Sequence, residues 1–163
     1  MHKPNVSRLA IKPARRAASR MAQTKSRNEP PVTPKPATDG VVLLVDDNPV
    51  IRQIYRRALE QEKFKVVESE NGGHALLLLD NHQPNVIVLD LMMAGMDGFQ
   101  FLTQLRRRTN WQLVPVIVLS AKPLNENERA LVAEHAQHFQ RKGEVPPAAI
   151  ATLARQLVPA TAA

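Results

Sequence analysis

Residues 86–98, VIVLDLMMAGMDG, constrain this chain more than any other stretch. Four apolar residues, Val86–Leu89, three of them β-branched, run straight into the carboxylate of Asp90, and a loop with two glycines, Gly95 and Gly98, follows. A short apolar run without alternation reads as a strand buried on both faces, the situation of a parallel sheet. Ligands of open parallel sheets sit beyond the carboxyl ends of the strands, so a carboxylate ending such a strand is placed in that crevice.

The same pattern recurs along the chain. Val41–Val45 reads as a strand, followed by a helix capped by Asn48 with Pro49 at its first position, a favoured N-terminal pair. Lys65–Val67 resumes strand, and Gly72-Gly73 leads into a helix with Ala75, Leu76 and Leu79 inward. After the strand Asn85–Asp90, a helix over 98–108 carries Phe99, Leu102 and Leu105 on its inner face. Its C-terminal triplet Arg106–Arg108 reads as a solvated cap that complements the helix dipole. Val114–Leu119 is a fourth strand, Glu126–His135 a polar helix, Gln137–Arg141 a fifth strand and Pro146–Leu157 a last helix. Trp111 falls in a loop. Alternation of this kind predicts an α/β fold, a doubly wound parallel sheet with helices on both faces and right-handed crossovers.

Composition excludes several function classes. The 163 residues include no cysteine, so disulfides, thiolate metal sites and cysteine catalysis are ruled out. No apolar run approaches the ~18 residues of a membrane span. The formal charge of +7 resides entirely in residues 1–40, which hold nine Lys/Arg against two Asp/Glu, whereas the remainder is neutral. Six prolines in those 40 residues, with few large apolar side chains, predict a disordered basic tail and Pro-rich linker. Residues 1–27, with eight Lys/Arg and no acid, leave three roles open: a solvated leader, an electrostatic anchor for nucleic acid or acidic partners, or a targeting signal. The last residues, 159–163, are a short tail.

Polar residues stand at four of the five strand ends: Asp46 and Asp47 after the first, Asp90 at the third, Ser120 at the fourth and Lys142 at the fifth. All belong to one rim of the sheet. Three carboxylates brought within ~5 Å repel by about 3 kcal/mol per pair at an effective dielectric constant of ~20, so such a set requires a cation. An all-oxygen donor set without His or Cys suits Mg²⁺. One carboxylate then remains to act as a nucleophile toward a phosphoryl group. Lys142 and the Ser120 hydroxyl would help neutralise the transferred oxygens. The product would be an acyl phosphate on Asp90, with added negative charge and new acceptor oxygens.

The pieces VVLLVDDN, VIVLDLMMAGMDG, VPVIVLSA and HFQRKG, taken with their spacing, resemble the receiver domain of two-component response regulators over residues 41–158. The resemblance implies a flavodoxin-like five-stranded parallel sheet of order 2-1-3-4-5. It implies that Asp90 is the phospho-acceptor, Asp47 a direct Mg²⁺ ligand, Asp46 its water-mediated partner and the Met92 backbone carbonyl a further ligand. Ser120 and Lys142 correspond to the switch hydroxyl and the phosphate-pairing lysine, and Phe139 to the aromatic that changes rotamer with that hydroxyl. Met92 and Lys122 occupy positions that tune phosphate lifetime. Two departures stand out: Gly143 follows Lys142 where the family has a cis proline, and Ala94 replaces a common proline. A cis peptide before glycine costs about 2.5–4 kcal/mol, so a trans bond and a differently shaped loop are expected.

The function implied is that of a cytoplasmic stand-alone receiver, phosphorylated by a histidine kinase or phosphotransfer protein. The first helix, around Pro49, Arg52 and Arg56, would dock the donor. The face of the fourth helix, fifth strand and fifth helix would signal to a downstream protein, with a phosphorylation-dependent homodimer possible. Such a domain is an enzyme only toward its own phosphorylation and dephosphorylation. FQRKG is similar to receivers of hybrid histidine kinases, so a receiver module of that kind is an alternative, although Met1 favours a separate chain. Nucleic acid would be bound non-specifically, through the tail alone. A metal-dependent aspartyl-phosphate phosphatase is disfavoured, because its nucleophile belongs to an Asp-x-Asp pair on the first strand, and here Asp46 and Asp47 are adjacent.

Overall fold

The computed structural model describes residues 38–158, and the expectations for residues 1–37 and 159–163 lie outside them. The strands are β1 (Val41–Val45), β2 (Lys65–Ser69), β3 (Val86–Asp90), β4 (Val116–Ser120) and β5 (His138–Arg141). Between them lie α1 (Pro49–Gln61), α2 (Gly72–His82), α3 (Gly98–Arg107), α4 (Glu126–His135) and α5 (Pro147–Leu157), with a 3-10 turn at Thr109–Trp111. All pairings are parallel, in the order β2-β1-β3-β4-β5. This is the doubly wound sheet that the alternation and the resemblance led us to expect.

Register decides what the sheet displays at its carboxyl rim. Val45 lies beside Leu89, Asp90 beside Leu119, and Ser120 beside Arg141. Asp46, Asp90, Ser120 and Lys142 therefore each stand within a residue of one edge. Alternate strand residues feed opposite faces. Leu43, Val45, Ile87, Leu89, Val116 and Val118 pack under α2, α3 and α4, against Ala75, Leu79, Phe101, Leu102 and Leu105. Val42, Leu44, Val86, Val88, Ile117 and Leu119 pack under α1 and α5, against Tyr55, Leu59, Ile150 and Ala154. Each fully buried aliphatic side chain contributes about 1.5–3 kcal/mol, and β3 and β4 are buried along their whole length.

Several local expectations are corrected. The inner face of α3 is Gly98, Phe101, Leu102 and Leu105, and Phe99 is only partly buried at its edge. A Cβ on Gly98 would lie 2.4 Å from the Asp90 carbonyl oxygen and 2.7 Å from the Leu91 Cα, so the helix starts pressed onto the end of β3 and that stripe faces the sheet. Arg106 is not a solvated cap. Its Nη1 donates to the carbonyls of Trp111 (2.9 Å), Gln112 (3.0 Å) and Val114 (2.9 Å), and its Nε to that of His135 at 3.0 Å. Arg108 turns back to the Leu76 carbonyl and to Asp80, leaving Arg107 as the exposed member. Trp111 belongs to the core and is 9% exposed. β4 begins after Pro115, which lacks an N–H for the ladder, and β2 extends to Ser69. Asp39 and Gly40 already join the domain: Asp39 N–H donates to Lys63, and the Gly40 carbonyl accepts from Lys65.

Candidate functional site

Each acidic side chain is aimed by its own strand end. Asp46 follows β1, and its N–H donates to the Ser69 carbonyl, continuing the ladder by one residue. Its Oδ1 accepts the Asn48 N–H at 2.8 Å, and its backbone carbonyl accepts from Arg52 Nη1 at 2.7 Å. Asp90 closes β3, and its Oδ1 accepts the Met92 N–H at 3.1 Å. The loop after it is pinned at both ends, by Gly98 N–H to Leu91 O and by Gly72 N–H to Met96 O, each at 3.1 Å. The structure brings Asp46, Asp47 and Asp90 together, with one carboxylate oxygen of each within 4.8 Å of the others. Asp46 and Asp90 are buried at 1% and 3% exposure, while Asp47 stands exposed at the rim.

Lys142 joins them from β5. Its Nζ lies 2.5 Å from Asp46 Oδ2 and 3.2 Å from Asp90 Oδ2. All peptide bonds among the described residues are trans, the one between Lys142 and Gly143 included, and the lysine nevertheless reaches both acids. Burial pushes the Asp90 carboxyl above its ordinary range, with Lys142 and the Met92 N–H pulling it down and Asp46 pushing it up. Burial works to lower the pKa of Lys142, but the hydrogen bond to Asp46 and the charges of Asp46 and Asp90 outweigh it and hold the ammonium above the ordinary lysine value.

Ser120 is fully buried on the same rim. Its hydroxyl donates to the Lys122 carbonyl at 3.0 Å and accepts the Lys122 N–H at 3.3 Å, so it is committed to the next loop rather than to the acids. Met92, two residues past Asp90, is 45% exposed. Phe139 on β5 is half-buried and lines a groove with Leu124, Val132 and Ala136 of the α4 side. Sequence reasoning missed Tyr55, the one tyrosine of the chain, buried on α1. Burial raises its phenol pKa, Lys142 lowers it, and Asp46 and Asp90 raise it, so it lies within the electrostatic reach of the cluster. Its core-facing helical position was legible, but not its neighbours.

Three carboxylates and one ammonium leave a net charge of −2, which a divalent cation would cancel. The donors are all oxygen, and Asp46 and Asp90 each already accept one backbone N–H. The residues therefore fit a hard divalent ion such as Mg²⁺ and do not fit a soft one.

An open sheet of order 2-1-3-4-5 with its acids gathered at the carboxyl rim defines a flavodoxin-like domain with an acidic crevice suited to a divalent cation. Comparison with known proteins narrows that class: residues 42–153 match the family model of the response regulator receiver domain, and the chain belongs to that family. It is 32% identical over 116 residues to the response regulator GtcR of Aneurinibacillus migulanus, an alignment covering 71% of this chain and 47% of that protein. It is 34% identical over 113 residues to the two-component response regulator ARR17 of Arabidopsis thaliana, covering 62% and 74% respectively. Among solved structures, the chemotaxis response regulator CheY4 of Vibrio cholerae superposes with a TM-score of 0.66 at 25% identity, over 74% of this chain and 99% of that one. The chain spans about half the length of some curated relatives, including GtcR and the KDP operon regulator KdpE of Escherichia coli, where coverage is 44%. The domain is thus a receiver of two-component signal transduction, and its acid trio forms the kind of pocket at which receivers bind Mg²⁺. No helix among the described residues is long and apolar enough to cross a membrane.

Proposed function

We propose that Asp90 accepts a phosphoryl group from the phosphohistidine of a histidine kinase or phosphotransfer protein, and that the phosphorylated domain signals by protein contacts in the cytoplasm. The observation that carries this reading is the convergence of Asp46, Asp47, Asp90 and Lys142, from three separate strand ends, on one small volume. An Asp90 carboxylate oxygen attacks phosphorus, the P–N bond breaks, and the imidazole leaves with the bond's electron pair. Asp46, Asp47, Asp90 and the Met92 carbonyl would hold Mg²⁺, which when bound supplies charge neutralisation for the phosphoryl oxygens. Lys142, already between Asp46 and Asp90, pairs with one of those oxygens. Ser120 exchanges its bond to Lys122 for another, and Phe139 responds from the neighbouring strand. Water attack on phosphorus returns the carboxylate.

Docking of the donor falls to α1, where Val50 and Ile54, one turn apart, are 63% and 44% exposed. Of the arginines on that helix, Arg52 is tied to Glu68 and to the Asp46 carbonyl, whereas Arg56 pairs with Glu60 and Glu68 at the surface. The test is uptake of phosphate from acetyl phosphate by the full chain with MgCl₂, with EDTA, and in Asp90→Asn. Uptake that requires the metal and disappears in the variant supports the reading. Equal uptake in Asp90→Asn contradicts it.

A further inference from the structure

Lys142 is delivered to the acids by a turn. The carbonyl of Arg141, the last residue of β5, accepts the Glu144 N–H at 3.2 Å, closing a four-residue turn with Lys142 second and Gly143 third. Gly143 has φ +84°. A type II turn requires a positive φ at its third residue, which glycine adopts freely and asparagine tolerates, while other residues resist it. A Cβ added at Gly143 meets nothing within 4 Å, so the backbone angle, and not a close approach, is what glycine provides here. The turn is held on both sides. Arg141 Nη1 bonds Glu144 Oε1 at 3.0 Å across its mouth, Lys142 N–H donates to the Ser120 carbonyl at 2.9 Å, and Lys142 forms a parallel bridge with Val145. The Lys142 backbone is thereby fixed before its side chain crosses to Asp46 and Asp90.

We propose that Gly143 is a positioning residue: its left-handed conformation closes the Arg141–Glu144 turn and so aims the Lys142 ammonium into the carboxylate cluster. The proposal rests on the reading of Asp90 as phospho-acceptor for its catalytic consequence, but not for its geometric one. The Arg141–Glu144 pair is exposed, and such pairs are weak, so closing the turn, as distinct from anchoring Lys142 to Ser120 and Val145, falls chiefly to Gly143. With alanine there, φ moves to negative values, the turn opens, and the lysine no longer bridges the two acids.

The experiment uses the full chain and its Gly143→Ala and Gly143→Asn variants. The side-chain ¹⁵N signal of Lys142, assigned through Lys142→Arg, reports whether the ammonium is held, because a lysine bound to two buried carboxylates exchanges its protons slowly. The second measurement is the rate of phosphoryl uptake from acetyl phosphate with MgCl₂, and the third is the urea midpoint. In Gly143→Ala the ammonium signal disappears and uptake slows about tenfold, as expected of a small misplacement of a reacting group. Gly143→Asn keeps the signal and stays within about threefold of the original rate, since asparagine accepts a positive φ. A merely structural glycine would shift the midpoint, more in Gly143→Ala than in Gly143→Asn, and leave the ammonium signal and the uptake rate unchanged in both. An alanine variant with unchanged signal and rate, or an asparagine variant as impaired as alanine, overturns the proposal. If the unaltered chain takes up no phosphoryl group, the Asp90 reading falls, and the ammonium signal still decides the role of the turn.

Discussion

The Lys142 ammonium lies closer to Asp46, at 2.5 Å, than to Asp90, at 3.2 Å, although 96 residues separate the lysine from Asp46. Its principal partner is thus Asp46 rather than the proposed acceptor, Asp90. A phosphoryl group on Asp90 would bring oxygens that compete for the same ammonium, and a divalent ion would compete for the same Asp46 oxygens. Under the proposed function Lys142 would therefore be the group through which metal, phosphoryl group and acids are balanced.

Removing that cation should be costly. Lys142→Met leaves Asp46 and Asp90 buried without a counter-charge, and breaking a buried ion pair in this way costs about 3–5 kcal/mol. Urea unfolding at neutral pH without divalent ions should show that loss. Millimolar MgCl₂ should restore more stability to the variant than it adds to the unaltered chain, because the ion replaces the missing positive charge. A variant of unchanged midpoint would show that the ion cluster is solvated.

Arg106 should matter for stability and Arg107 should not. Arg106 serves the carbonyls of Trp111, Gln112, Val114 and His135, tying the end of α3 to the 3-10 turn and loop before β4 and to the end of α4, while Arg107 is exposed. Burial lowers the Arg106 pKa, and no carboxylate is paired with it among the described residues, so its hydrogen bonds to carbonyls are what retain it there. Arg106→Met should cost about 2–4 kcal/mol, with Arg106→Lys a poor substitute because an ammonium lacks the planar fork. Arg107→Ala should stay within about 0.5 kcal/mol. Chemical denaturation of the three variants checks the ordering.

A pH effect is expected at the start of α4. Asn125 and Glu128 form a reciprocal cap, with Glu128 Oε2 accepting the Asn125 N–H and Glu128 N–H donating to Asn125 Oδ1, both at 2.9 Å. The Asn125 N–H, and with it Lys122, holds the Glu128 carboxyl below its ordinary value of 4.5. A depressed acid stabilises the folded state above its ordinary pKa, and that contribution disappears as pH falls through the lower folded value. Amide protection in the first turn of α4 should therefore decline as pH falls below the ordinary carboxyl value of 4.5, and Glu128→Gln, which keeps the cap without the charge, should flatten the profile. Identical profiles in both proteins would contradict the assignment.

Much of this architecture could be read from local pattern. The apolar runs Val41–Val45 and Val86–Leu89 are short, unalternating and end on acids, and a strand buried on both faces leaves few other placements. Strand order was not readable from the pattern and followed from family resemblance. Phe99 and Phe101 both satisfy helical spacing, and what selects Phe101 is the contact of Gly98 with β3, a long-range fact invisible to periodicity. Arg106 looked like a dipole cap because its carbonyl partners come from three different segments. At the site, residue types and strand ends identified the acids and Lys142, while the preference of Lys142 for Asp46 and of Ser120 for the Lys122 backbone depends on side-chain geometry that no spacing encodes.

The proposed function places the phosphoryl group on one carboxylate, that of Asp90. Treating the full chain with acetyl phosphate and MgCl₂ and then reducing with borohydride converts a phosphorylated aspartate to homoserine, which peptide mass spectrometry places in the sequence. Homoserine at position 90 alone, absent when the metal is chelated, is the predicted result. Homoserine at position 46 or 47, or at no position, would contradict the account.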